Sequence, residues 1–190
     1  MGELLLIRHG ETEWSRSGRH TSRTDLALTQ AGEARARRLG PLLANYRPVL
    51  VLTSPMSRAR RTAELAGLQA DGVDPRLSEW DYGELEGRAT DEIRTRYPGW
   101  TIWRGPWPGG ETPDHVYERL SGVVEQVRPH LADGDVVLVA HGHSLRVLTL
   151  AWLALPVERG SILSLDAGTL SVLGFEHGDP SIRGWNQAPP

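Results

Sequence analysis

The sequence predicts an α/β fold: a three-layer α/β/α sandwich with a mostly parallel central sheet and helices on both faces. Two observations carry this. Short apolar runs alternate along the chain with segments of helical periodicity, the order that builds βαβ units. Two of those runs, Leu4–Ile7 and Val136–Ala140, are apolar at every position. Strands that are buried on both faces of a covered parallel sheet read this way.

The elements follow in order. Leu4–Ile7 is the first strand. Thr29 caps a helix running to about Asn45, with Ala31, Ala34 and Leu39 turned inward. Val49–Leu52 is a second buried strand, and Ser54-Pro55 supplies the cap and first residue of a helix to about Ala66. A short strand is expected near Val73–Leu77. Thr90-Asp91-Glu92 opens a helix with acidic residues suited to its dipole. Tyr97–Gly110, rich in Pro, Gly and Trp, reads as an ordered loop. Thr112-Pro113-Asp114 caps a long helix to about Leu131. Val136–Ala140 is the clearest strand, with a helix His143–Leu153 after it. Ile162–Leu165 and Leu170–Phe175 suggest a closing pair of strands. The tail from Asp179 is expected to be mobile unless Trp185 pins it. Residues 1–190 read as one domain with a Trp-rich, lid-like segment at about 88–112.

A chain of 190 residues buries roughly 70% of its unfolded surface and needs no staple. It has no cysteine, which excludes disulfides and thiolate chemistry. All 21 basic residues are Arg, which excludes any lysine-based mechanism. A net charge of -3 argues against a nucleic-acid partner. The early apolar run is too short for a signal peptide and ends in Arg8. No run approaches the roughly 20 apolar residues of a membrane span. The expectation is a cytoplasmic protein without membrane contact. The helices and tryptophans are compatible with a homodimer.

Both all-apolar strands end alike, one in Arg8-His9-Gly10 and the other in His141-Gly142-His143. Ligands in open α/β sheets bind beyond the carboxyl ends of strands. If these strands are neighbours, His9 and His141 share one pocket, and each is followed by a glycine that lets backbone approach a ligand. Arg58 lies about one turn into the helix after the second strand and can reach the same rim. Two imidazoles and two guanidiniums suit a dianionic phosphoryl group, since Arg binds its oxygens bidentately and His can attack phosphorus.

Arg8-His9-Gly10-Glu11-Thr12 resembles the signature of the histidine phosphatase superfamily, in its phosphoglycerate-mutase-like branch. Supporting segments stand in the family's order over nearly the whole chain. They are Leu28-Thr29-x-x-Gly32, Ser54-x-x-Ser57-Arg58-Ala59-x-x-Thr62-Ala63, Leu77-x-Glu79 with Gly83 and Glu86-Gly87, Gly110-Glu111-Thr112, and His141-Gly142. The resemblance implies that His9 is the phosphorylated nucleophile. It implies that Arg8, Arg58 and His141 bind the phosphoryl oxygens, and that Glu79 is first acid and then base. It also places Ser15, Thr21, Ser22 and Gly142 in phosphate contact, with no metal and no cofactor. Ser15 stands where the family often has Asn, and Ser22 where it often has Gly.

The implied function is hydrolysis of a small phosphate ester, a sugar phosphate or bisphosphate among the candidates. The alternatives are a phosphoglycerate mutase, a phosphohistidine-protein phosphatase, which a flat open site would favour, and a non-catalytic phosphate-binding regulatory module. The mutase insert carries an Arg pair, whereas Tyr97–Gly110 has only Arg104, which favours hydrolysis. Presence of His9, Glu79 and His141 weighs against the module. His20, His115, His130, His143 and His177 are expected at the surface or in secondary roles, with His20 the leading exception. Trp80, Trp100, Trp103 and Trp107 are expected to pack a lid or core.

Overall fold

A computed structural model describes residues 1–190. The strands are β1 (Leu4–Arg8), β2 (Pro48–Thr53), β3 (Gly72–Val73), β4 (Asp135–Ala140), β5 (Leu170–Glu176) and β6 (Asp179–Gln187). The helices are α1 (Glu13–Arg16), α2 (Gln30–Arg37), α3 (Leu39–Leu43), α4 (Ser57–Leu65), α5 (Thr90–Arg96), α6 (Pro113–Val127) and α7 (Gly142–Trp152). One six-stranded sheet has the order β3-β2-β4-β1-β5-β6. The first four of these pair in parallel; β5 and β6 are antiparallel. No helix is long and apolar enough to cross a membrane.

Strand alternation splits the all-apolar runs between two cores. Leu4 and Leu6 of β1, with Val136 and Leu138 of β4, face a core shared with α6, α7 and the tryptophans. Leu5, Ile7, Val137 and Val139 face the other core, shared with α3 and α4. A strand needs helices on both sides to bury both sets, so the three layers follow from the sequence of β1 and β4.

Several boundaries differ from the sequence reading. The helix after Thr29 stops at Arg37, and a separate short helix carries Leu39–Leu43. Pro41 has no N–H for the Arg37 carbonyl, and its ring crowds that carbonyl. The inward face is Gly32, Ala36 and Leu39; Ala31 and Ala34 are exposed. β2 is buried only in its second half, and Val49 is exposed. The next helix starts at Ser57 rather than Pro55, with Asp25 accepting the Ser57 N–H at 2.9 Å. Residues 75–77 form a 3₁₀ turn after a two-residue strand. The long helix ends at Val127 and passes into a 3₁₀ turn containing Pro129. Ile162–Leu165 is no strand: residues 157–162 form a 3₁₀ turn and Ile162 is exposed.

The tail from Asp179 is not mobile coil. It is β6, paired along β5, with the Trp185 indole donating to the Ser164 carbonyl. The connecting turn holds His177 and Gly178 at positive φ, 52° and 99°, the backbone of a tight two-residue hairpin. It lies at the sheet end remote from the carboxyl ends of β1 and β4, because β5 runs against β1. The Trp-rich segment is anchored by Trp100 and Trp103, both buried in the α6–α7 core beside Trp80.

Candidate active site

β1 and β4 are adjacent and in register, with Arg8 beside Ala140. The next residues, His9 and His141, therefore emerge side by side, ring centroids 5.0 Å apart. His9 Nδ1 lies 2.7 Å from the Gly10 carbonyl oxygen. That oxygen only accepts, which places the ring proton on Nδ1 and leaves Nε2 with its lone pair. Burial disfavours the imidazolium, and the Arg58 and Arg8 charges add to it, so His9 is held well below the ordinary histidine pKa. The side chain is a neutral imidazole, the form a nucleophile requires.

His141 is saturated by protein groups. Arg58 Nε donates to its Nδ1 at 3.3 Å, and its Nε2 faces Ser54 Oγ at 2.7 Å. Arg58 also donates to the Thr24 and Ser22 carbonyls at 2.9 and 3.0 Å. Both residues are 0% exposed. They stand behind His9 rather than on the cavity wall. In this structure the Arg58 donors are turned to His141 and the 22–24 backbone, and His141 meets Ser54.

The cavity itself encloses about 180 Å³, with Arg8, His9, Ser15, Thr21, Glu79 and Gly142 on its walls. Arg8 is fixed by a bond from Nη1 to the Leu165 carbonyl, while its buried Nε has no partner. A buried orphan donor is rare and marks where an anion would be satisfied. A Cβ at Gly142 would come within 3.3 Å of the Arg8 Cζ and Nε, so glycine there makes room for the guanidinium. Ser15 donates to Thr12 O and accepts the Thr12 N–H, capping α1. Thr21 lines the cavity with a loose 3.3 Å bond to Arg19 O. Ser22 departs from its expected place. Its hydroxyl is bonded to Glu86 at 2.5 Å and does not face the cavity.

Glu79 is 7% exposed. Its Oε1 accepts the Trp80 and Ser144 N–H groups at 2.9 and 2.7 Å, and Oε2 accepts the His143 N–H at 3.0 Å. The carboxylate thus caps the first turn of α7, where free N–H groups favour anions. One lone pair of Oε2 remains for a proton. Arg119 locks the segment that carries Glu79. It pairs with Glu111 at 2.8 and 2.9 Å and donates to the Arg76, Ser78 and Glu79 carbonyls. Burial pushes the Glu111 carboxyl up, but the Arg119 bonds outweigh it and hold its pKa low.

Other motif residues act as framework. Thr62 accepts the Gly10 N–H and donates to the Arg58 carbonyl, tying the nucleophile loop to α4. Gly10 and Gly32 let that loop touch α2: a Cβ on Gly32 would sit 2.2 Å from the Glu11 carbonyl oxygen. Glu86 accepts from Ser22, Arg23 and Thr24. It therefore shapes the loop whose carbonyls hold Arg58.

His20, Tyr82, His143 and Arg146 also line the cavity. The Tyr82 hydroxyl and His143 Nδ1 are 2.6 Å apart. Burial, first of all, lowers His143 well below its usual pKa, brings His20 to about 4 and raises Tyr82 well above its usual value. The sequence reading puts His143 at the surface or in a secondary role; the structure puts it on the cavity wall. A usable signal existed: it is the second residue of a helix whose start faces the site, and Arg146 follows at i+3 on the same face.

The profile of the histidine phosphatase superfamily (branch 1) matches residues 4–188. An acid phosphatase of Mycobacterium tuberculosis is 40% identical over 92% of this chain and 87% of its own length. Sedoheptulose 1,7-bisphosphatase of Saccharomyces cerevisiae is 34% identical over 82% and 69%. The solved structure of a Mycobacterium tuberculosis open-reading-frame product superposes with a TM-score of 0.96 at 38% identity, covering 100% of this chain and 99% of that one.

Proposed function

The chain belongs to branch 1 of the histidine phosphatase superfamily, and we propose that this phosphatase hydrolyses a small phosphate monoester through a phosphohistidine on His9. The observation that carries the reading is the His9 ring, neutral and buried, with its proton tied to Gly10 O and Nε2 free beside the Arg8 donor. Nε2 attacks phosphorus, the ester P–O bond breaks, and the leaving oxygen takes a proton from Glu79 Oε2. Water then attacks the phosphoryl group, gives its proton back to Glu79, and the P–N bond breaks to release inorganic phosphate. Arg8 stabilises charge on the transferring oxygens at close range. Arg58 contributes from behind, in a site dry enough for its charge to count. The relatives named acid phosphatase and sedoheptulose 1,7-bisphosphatase support hydrolysis.

The test is trapping. Brief exposure to p-nitrophenyl phosphate with an alkaline quench is expected to leave an acid-labile phosphoramidate on His9, found by peptide mass spectrometry, and His9→Ala is expected to abolish turnover. Sustained turnover with no histidine phosphorylated would overturn the covalent route. Glu79→Gln is expected to slow the burst with an alkyl ester far more than with an aryl ester. A general acid is worth about 10²–10⁴ in rate where the leaving oxygen is a strong base, and nitrophenolate needs little help.

A further inference from the structure

Arg8 owes its direction to one peptide unit. Its side chain makes a single hydrogen bond to the protein, from Nη1 to the Leu165 carbonyl. Leu165 lies between the 157–162 turn and β5, outside every helix and strand, so no ladder fixes that carbonyl. The Leu165 side chain is buried, which holds its Cβ but leaves the peptide plane after it free to tilt.

That plane is gripped from its other end. A trans peptide is rigid and planar, so the Leu165 C=O and the Asp166 N–H point in opposite directions and turn as one body. The Asp166 N–H donates to Asn186 Oδ1 at 2.7 Å. Asn186 Nδ2 donates in turn to Asp166 Oδ2 at 3.0 Å. An N–H only donates and a carboxylate only accepts, so the amide fits in one orientation. Its neighbour Trp185 donates to the Ser164 carbonyl. β6 thus holds the backbone on both sides of Leu165. Besides Arg8, the only other hydrogen bond to residues 164–166 comes from Thr169 Oγ1, within the same segment.

Asn186 is itself set for this contact. Its φ is 53°, in the left-handed region that Asn tolerates better than most residues. Its N–H donates at 3.0 Å to Oγ of Ser171, a buried residue of β5 that pairs with Leu6 of β1. An uncommon backbone conformation persists where the surroundings over-determine it, and such residues gather at functional sites.

We propose that Asn186 is a positioning residue for Arg8, with the 165–166 peptide unit carrying the grip of the C-terminal strand to the guanidinium. The proposal rests on the phosphatase reading in one respect: it takes Arg8 as the group that meets the phosphoryl oxygens. The Asn186–Asp166 contact lies at the surface, so its loss is worth about a three- to tenfold change.

Asn186→Gly is the first variant. It removes the amide and keeps the backbone, because glycine adopts positive φ freely. Two quantities are measured, the Kd of inorganic phosphate by calorimetry and kcat/KM for p-nitrophenyl phosphate, with a melting curve to show that the variant is folded. The Kd is expected to rise and kcat/KM to fall, each about three- to tenfold. If Asn186 only serves the backbone turn, glycine serves as well. A variant indistinguishable from wild type in both quantities therefore overturns the proposal. So does a fall in kcat/KM with the phosphate Kd unchanged, which places the loss elsewhere than at Arg8. Asn186→Asp keeps an acceptor for the Asp166 N–H but sets one carboxylate against another. Phosphate binding is expected to weaken, and the added Asp166→Asn, which returns an amide to the pair, is expected to restore it. This pair decides the matter if the glycine variant does not fold, and a failure to restore binding overturns the proposal. The phosphate Kd needs no turnover. A wild type that hydrolyses no ester, yet binds phosphate in a way that depends on Asn186, refutes the phosphatase reading and leaves the positioning role standing.

Discussion

Glu86→Gln removes one charge and almost no volume from a site that never touches the cavity. The carboxylate accepts four bonds from one short loop: Ser22 N–H at 3.2 Å, Thr24 N–H at 2.7 Å, Arg23 N–H at 3.3 Å and the Ser22 hydroxyl. Gln keeps a carbonyl for the Ser22 and Thr24 N–H groups, and the Ser22 hydroxyl can rotate to accept from the amide. What is lost is charge assistance on two or three bonds, about 1 kcal/mol each. Partial exposure of Glu86 discounts this to about 2 kcal/mol. For a chain of this size that is ~4–8 °C in Tm.

The pH dependence has a definite sign. Burial pushes the Glu86 carboxyl up, but its hydrogen bonds win, and its folded pKa lies below the ordinary 4.5. Its contribution is therefore complete above 4.5 and is lost as pH falls through the depressed folded value. Thermal unfolding followed by circular dichroism should show the full gap between wild type and Glu86→Gln at pH 7, shrinking below pH 4.5. Because the same loop supplies the Ser22 and Thr24 carbonyls that hold Arg58, kcat/KM should also fall. A Tm within about 2 °C of wild type at pH 7, or a gap that persists undiminished into acid, would refute the reasoning.

Gly32→Ala drives a Cβ to 2.2 Å from the Glu11 carbonyl oxygen; such overpacking costs about 1–3 kcal/mol or more, and a lower denaturant midpoint checks it. Gly142→Ala brings its methyl to 3.3 Å from the Arg8 guanidinium. Arg8 must give by a few tenths of an ångström, so inhibition by inorganic phosphate should weaken while the melting curve changes little. Strong chelation is expected to leave phosphate release unchanged, since guanidiniums supply the charge in flight; activity restored by one particular added metal would contradict it.

The parts of the fold legible in the sequence are those in which burial is symmetric. β1 and β4 are apolar at every position, and that pattern has one explanation. β6 escaped because its sequence, Asp179–Gln187, contains Pro180 and Gly184 and only scattered apolar residues. An edge strand held by a hairpin turn has no inward run to display. The break between α2 and α3 was readable from Pro41 alone; on the inward face Leu39 stands as read, while Gly32 and Ala36 take the places given to Ala31 and Ala34. At the site, Arg8, His9 and Glu79 lie on the cavity as motif and order suggested. Arg58, His141 and Ser22 do not, because sequence order shows which residues come near and not which partner claims their donors. Arg146 stands in none of the motifs and His143 closes one without a role attached to it, yet the place of both follows from the direction in which α7 leaves β4.

The hairpin turn at His177 and Gly178 has a practical side. It protrudes at the pole opposite the His9 cavity, the His177 side chain is 92% exposed, and neither residue lines that cavity. Loop tips of this kind tolerate insertion best. A fluorophore, a surface tether or a fused reporter placed there would leave the pocket mouth facing free solution. The same position offers new chain ends for a circular permutant in which β5 and β6 are severed from one another.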